Sequence, residues 1–190
     1  ALFQDLGRFG QTGQGVSASG ALDRGAFNAV NRIVGNPANT PVLGLTLGGF
    51  SFESNVRAVV GLAGASCPVT VRDASGQRLE FEAYRAIALE PGDVVTIGHP
   101  REGMRSYLAV RGGFDVAPVL GSAATDTLAV VGPDPVKVGT TLRLRDRKDG
   151  LTSVSSDSAK GAECWDSSRK SQSKSRVSVC RRNSRCRGWS

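Results

Sequence analysis

An amide, a carboxylate and a guanidinium fall within five residues of one another near the start of the chain: Gln4, Asp5 and Arg8, in the phrase QDLGR. Side chains of these types can orient a small polar ligand or a carboxyl group through directional hydrogen bonds. An ion pair between Asp5 and Arg8 beside a turn at Gly7 accounts for the same residues without a ligand. Further along, SGALDR (Ser19 to Arg24), VGNP (Val34 to Pro37) and TLGG (Thr46 to Gly49) place glycines and small polar residues at element ends. Such residues suit a backbone that turns sharply or lets a ligand approach closely. Asn28 and Asn31 are poor helix formers whose amides both donate and accept, so either can hold the Thr46 to Gly49 turn or touch a ligand. Gly48 and Gly49 can present consecutive N–H groups to an anion, or make a plain tight turn. Arg111, Gly112 and Gly113, then Gly121 and Ser122, repeat the pattern of pliant backbone beside a polar side chain. Together with TLGG they form the expected ligand wall. The candidate binding set is therefore Gln4, Asp5, Arg8, Asn28, Asn31, Thr46, Gly48, Gly49, Arg111, Gly112, Gly113 and Ser122, with no catalytic residue and no metal ligand assigned.

Familiar catalytic templates fit poorly. GVSAS (Gly15 to Ser19) is not a nucleophile elbow, because Ser19 occupies the last glycine position and no strand precedes it. His99 is the only histidine and is followed by Pro100, which makes a turn residue a better reading than a triad member. The glycine run from Gly10 to Gly15 lacks the GK[ST] ending of a phosphate-binding loop. Cys67 beside Pro68 reads as a small apolar residue at a strand end.

These residues need elements to hold them. Leu22, Phe27, Val30, Ile33 and Val34 recur at helical spacing and predict a helix from Ala21 to Val34, started at Ser19 or Gly20 and stopped by Gly35 and Asn36-Pro37. Val56 to Leu62, Val69 to Arg72, Leu79 to Ala83, Val94 to Ile97, Ser106 to Val110 and Thr141 to Leu144 are short, β-rich and bounded by turn residues. The expected class is mainly β with one clear helix, an antiparallel sandwich or barrel.

The order of the phrases QDLGR, SGALDR, VGNP and TLGG, continued by RSYLAVRGGFDVAPVLGS (Arg105 to Ser122) and ATDTLAVVGPDPVKVGTTLRL (Ala124 to Leu144), resembles the biotin-dependent carboxyltransferase A/B family. That family includes the C-subunit of bacterial 5-oxoprolinase, allophanate hydrolase subunit 2 and the carboxyltransferase region of urea carboxylase. The resemblance implies a cyclophilin-like β barrel over residues 1–148, the amino-terminal half of the family, clipped at its start and lacking a second, similar domain. It implies a fragment of an ATP-dependent amide-processing hydrolase, acting on a small amide such as 5-oxo-L-proline together with other subunits of a 5-oxoprolinase-like complex. The alternatives it leaves are an allophanate hydrolase or biotin-dependent urea carboxyltransferase component, and a non-enzymatic regulatory binding module. ATP enters only through the resemblance, on this chain or on a partner subunit. Biotin belongs to the alternative and would arrive on another chain or domain, since no attachment phrase such as AMKM is present. Where the family phrase resembles LEITLGG, this chain reads LGLTLGG, and Gly44 takes the place of an acidic residue.

The resemblance stops near Lys148, and composition changes there too. Of the formal charge of +7, the segment from Leu151 to Ser190 supplies nine Lys or Arg against three Asp or Glu. The high pI therefore describes residues 149–190 rather than the domain. Three explanations suit that Ser/Arg-rich segment: a disordered basic arm, a cysteine site, or translation out of frame. The spacing of Cys164, Cys180 and Cys186 matches no common zinc pattern, and nucleic acid is not expected as a partner of the domain itself. An out-of-frame tail is the favoured expectation. No apolar run reaches the ~18 residues of a membrane helix, and a cytoplasmic location is expected.

Overall fold

The computed structural model describes residues 1–145 and 176–180. Eleven strands and one α-helix are found in that part of the chain. β1 (Leu2–Gln4), β2 (Val42–Thr46), β9 (Arg105–Val110), β4 (Ala58–Gly64) and β7 (Ala86–Leu89) form one sheet in the order β1-β2-β9-β4-β7. β10 (Thr141–Arg143), β11 (Arg176–Cys180), β3 (Phe50–Ser54), β8 (Val94–Ile97), β5 (Val69–Arg72) and β6 (Arg78–Phe81) form the other, in the order β10-β11-β3-β8-β5-β6. Every pairing is antiparallel.

Alternation along β2 and β9 explains why the first sheet carries apolar residues on both faces. Leu43, Leu45, Leu108 and Val110 face the second sheet and join Phe52, Val69, Val71, Val95 and Ile97 in the main core. Val42, Tyr107 and Ala109 face the other way and pack under the helix. That helix, α1 (Arg24–Ile33), buries Ala26, Phe27, Val30 and Asn31. It lies close to β4 because Gly61 has no side chain there: a Cβ would come within 3.0 Å of Val34 Cγ1 and 3.1 Å of Ile33 Cγ2.

The mainly β class with one helix agrees with expectation, and the details differ. α1 starts at Arg24 rather than Ala21, because the Asp23 carboxylate caps it by accepting the Ala26 N–H at 2.9 Å. Leu22, assigned to the apolar face, lies ahead of the cap and is exposed. β1, β2, β3, β7 and β11 were not among the expected strands. β11 falls in the Ser/Arg-rich segment, where RVSVC alternates with period two and buries Val177 and Val179 between β10 and β3. The other readings of residues 149–190, including the cysteine site and the frame of translation, lie outside the described residues.

Candidate functional site

Asp5 ties the opening loop to a segment far along the chain. Its Oδ1 accepts the Gly7 N–H and the Ser122 hydroxyl, each at 2.7 Å, and its Oδ2 accepts the Ala123 N–H at 2.7 Å. The Asp5 carbonyl accepts the Ala21 N–H at 2.8 Å, which draws in the SGALDR phrase. Two phrases separated in sequence thus meet at one buried carboxylate. Ser122 Oγ accepts in turn from the Ala124 N–H at 3.0 Å. One turn further on, Asp126 Oδ2 accepts the hydroxyls of Ser17 and Ser19 at 2.6 and 3.0 Å, while its Oδ1 accepts the N–H groups of Leu128 and Ala129. The Ser17 hydroxyl first, then the Ala129 N–H, holds the Asp126 carboxyl well below the usual carboxylate range.

Arg8 lies at the centre of this knot and is 2% exposed. Its Nη2 donates to the Ala124 carbonyl. Nε and Nη1 have no protein partner among the described residues. The ion pair with Asp5, the alternative to a ligand role, does not form, since the oxygens of Asp5 are occupied by Gly7, Ser122 and Ala123. Gln4 is also buried, and its Oε1 is the remaining buried side-chain atom without a partner among the described residues. Its side chain lies across Gly44, where a Cβ would stand 3.0 Å from Gln4 Cδ. An acidic residue at position 44 would force Gln4 aside, so the glycine and the position of this amide go together.

The other candidates fall elsewhere. Asn31 donates to the Thr40 carbonyl at 3.0 Å, Gly112 N–H donates to Asn36 Oδ1 at 2.8 Å, and Arg111 Nε donates to the Val34 carbonyl at 3.0 Å. Gly113, in the left-handed region at φ 82°, packs against Thr40. These four residues close the carboxyl end of α1, where Asn36, read from the sequence as part of the helix stop, is the hub. Asn28 is exposed on the helix. Thr46, Gly48 and Gly49 form the crossing from the first sheet to the second. There the Leu47 carbonyl contacts His99 Nδ1 at 2.8 Å, and a Cβ on Gly48 would stand 1.9 Å from the Gly98 carbonyl oxygen. Thr46 pairs with Arg105, at the opposite end of β9 from Arg111. A strand of that length puts the two groups about 20 Å apart. The expected wall of TLGG with Arg111 to Gly113 is therefore not one surface. Gly48 is closed on its side-chain face by the Gly98 carbonyl. His99 is an exposed turn residue, as its sequence context suggested.

A cleft of about 840 Å³ opens beside the knot. Phe3, Val116, Pro133, Val136 and Leu142 give it an apolar floor, and Asp115, Asp134, Lys137 and Arg143 line it with charge. Gly132 forms part of its wall, and a Cβ there would lie 3.2 Å from Arg8 Nη2.

The family model described as carboxyltransferase domain, subdomain A and B, matches residues 14–184. The chain belongs to this family. It is 42% identical over 132 residues to the C-subunit of 5-oxoprolinase from Escherichia coli, an alignment covering 68% of this chain and 40% of that protein. It is 35% identical over 158 residues to urea amidolyase of Saccharomyces cerevisiae, covering 83% of this chain and 8% of that one. Among solved structures, TTHA0988 superposes with a TM-score of 0.70 at 30% identity, over 79% of this chain and 29% of that one. The chain thus spans less than half the length of these relatives. No helix among the described residues is long and apolar enough to cross a membrane.

Proposed function

We propose that this carboxyltransferase-family chain is part of an ATP-dependent amide-processing hydrolase, in the role of the 5-oxoprolinase C-subunit. Such an enzyme opens 5-oxo-L-proline to glutamate together with partner subunits. The observation that carries the reading is the 42% identity to that 5-oxoprolinase component. Two buried groups without partners among the described residues support it, the Gln4 amide oxygen and the Arg8 guanidinium, an acceptor and a donor of the kinds that an amide N–H and a carboxylate call for. Asp5 and Ser122 tie the opening loop to the later segment rather than touching the substrate in this reading. ATP binds on this chain or on a partner subunit in this reading. A cytoplasmic location accords with it.

A second reading is a component that carries a carboxyl group to urea, with biotin supplied by another chain or domain. The match to yeast urea amidolyase over 83% of this chain favours it. The two part in one experiment. The full chain is mixed with candidate 5-oxoprolinase partner subunits, ATP and 5-oxo-L-proline, and glutamate release is measured with and without this chain. Release that depends on the chain supports the first reading. Absence of release, with biotin-dependent turnover of urea beside a biotin carboxylase, replaces it with the second.

A further inference from the structure

Arg8 is an unusual feature for a stable core. A guanidinium at 2% exposure carries a charge that burial penalises unless a carboxylate or a full set of acceptors surrounds it. The single ion pair among the described residues joins Arg57 to Glu90 on the surface, at 2.7 Å. Arg8 has one carbonyl acceptor, from Ala124, for its fork of donors. The carboxylates in its loop and its docking segment are committed: Asp5 to Gly7, Ser122 and Ala123, and Asp126 to Ser17, Ser19, Leu128 and Ala129. Among the described residues, the charge of Arg8 is therefore uncompensated.

Its position relative to the cleft gives that charge a use. Gly132 lines the cleft, and a Cβ on it would meet the Ala124 carbonyl and then Arg8 Nη2 at 3.2 Å, so the guanidinium lies close behind this stretch of the wall. The four charged residues on the cleft wall, Asp115, Asp134, Lys137 and Arg143, cancel formally. Arg8 then leaves the local balance positive.

We infer that Arg8 is the anchor of a carboxylate subsite reached from this cleft. A planar ligand carboxylate would take Nη1 together with the second hydrogen of Nη2, the end-on bidentate face of the guanidinium. Because Arg8 is covered, access follows a local parting of the Gly132-Pro133 backbone from the guanidinium. The inference deepens the proposed function by assigning the carboxylate of the substrate, rather than its amide, to Arg8, and it rests on that reading only for the identity of the ligand.

The test uses the full chain and three probes: 5-oxo-L-proline, 2-pyrrolidinone, which has the lactam without the carboxylate, and acetate. Binding is followed by calorimetry and by the Arg8 Nε–H resonance in nitrogen-edited NMR. The expected result is that 5-oxo-L-proline binds about tenfold or more tightly than 2-pyrrolidinone, as a charge-assisted bidentate contact implies, and that acetate moves the Arg8 Nε–H signal. In Arg8→Met, checked for folding by circular dichroism, that preference disappears. The NMR measurement needs no variant, so it decides the matter even where Arg8→Met does not fold. An Arg8 signal indifferent to carboxylates, because buried water alone serves it, overturns the inference. If acetate shifts the Arg8 signal and 5-oxo-L-proline binds no better than acetate, the subsite stands and the oxoprolinase reading falls.

Discussion

Replacing Asp5 by Asn separates a carboxylate that holds the fold from one that performs chemistry. In the native protein the two oxygens of Asp5 accept three hydrogen bonds, from Gly7 N–H, Ser122 Oγ–H and Ala123 N–H, all at 2.7 Å. Asp5→Asn keeps the shape but turns one acceptor into a donor. With the amide nitrogen at the Oδ2 position it faces the Ala123 N–H, and at the Oδ1 position it faces the Gly7 N–H. Only the Ser122 hydroxyl can rotate to accommodate it. At least one buried backbone donor is then orphaned and one charge-assisted bond is lost, together about 3 kcal/mol. In urea denaturation of the full chain this moves the midpoint down by about 1–2 M, with the slope unchanged. Ser122→Ala removes one of the three bonds, and the double variant closes a cycle whose coupling is about 1 kcal/mol or more. A variant Asp5→Asn within about 0.5 kcal/mol of the parent would refute the reasoning. Loss of turnover with undiminished stability would place Asp5 among the reacting groups instead.

Other substitutions and conditions read different parts of the structure. Gly61→Val drives a branched side chain into Val34 and Ile33 of the helix region and is expected to cost about 1–3 kcal/mol in thermal or urea unfolding, through overpacking. Burial pushes the Cys67 thiol up, only partly opposed by its contact with Ser106. At about pH 8, near the ordinary thiol pKa, the peptide carrying Cys67 should therefore resist iodoacetamide in the folded protein and react after denaturation, as peptide mass spectrometry would record. The Asp126 carboxyl is held low by Ser17, Ala129, Leu128 and Ser19, so its contribution to stability is present above the ordinary carboxylate pKa of about 4 and is lost as pH falls through the depressed folded value. The stability difference between the parent chain and Asp126→Asn should accordingly be larger at about pH 7 than at about pH 3. A difference that grows on acidification would contradict the Ser17 and Ser19 contacts.

The helix and the β character were legible because they rest on local periodicity, which packing here reinforces. Phe27, Val30 and Val34 recur at helical spacing, and all three are fully buried where α1 meets the first sheet. β2 was hidden because VLGLT is a short apolar run next to a glycine turn that also suits a ligand loop. β11 was hidden because its alternation is embedded in Ser and Arg. Glycine is where sequence reading was least able to decide. Gly48 of TLGG and Gly132 in the 124–144 run both combine left-handed φ with close approach. Each is closed by a backbone carbonyl, of Gly98 for the one and of Ala124 for the other, and only Gly132 has a buried charge close behind it, Arg8 Nη2. Nothing local distinguishes them, since the difference lies in what the chain brings up behind each.

The same limit applies to Arg8. An acid and a base three residues apart on a turn invite pairing, and the short-range geometry of QDLGR gives no reason against it. What prevents the pair is a competition decided by residues far along the chain. Ser122 and Ala123 arrive with two donors aimed at the Asp5 carboxylate, and Gly7 supplies a third from the turn itself. Backbone donors at fixed positions cost less entropy to engage than a long guanidinium side chain, so Asp5 goes to the backbone and Arg8 is left with the Ala124 carbonyl. An arginine displaced in this way would ordinarily turn to solvent, where its charge is hydrated at no penalty. Retaining it at 2% exposure, close behind the Gly132 wall of the cleft, is costly for stability alone. That cost is accounted for when the missing half of the ion pair is carried by a ligand.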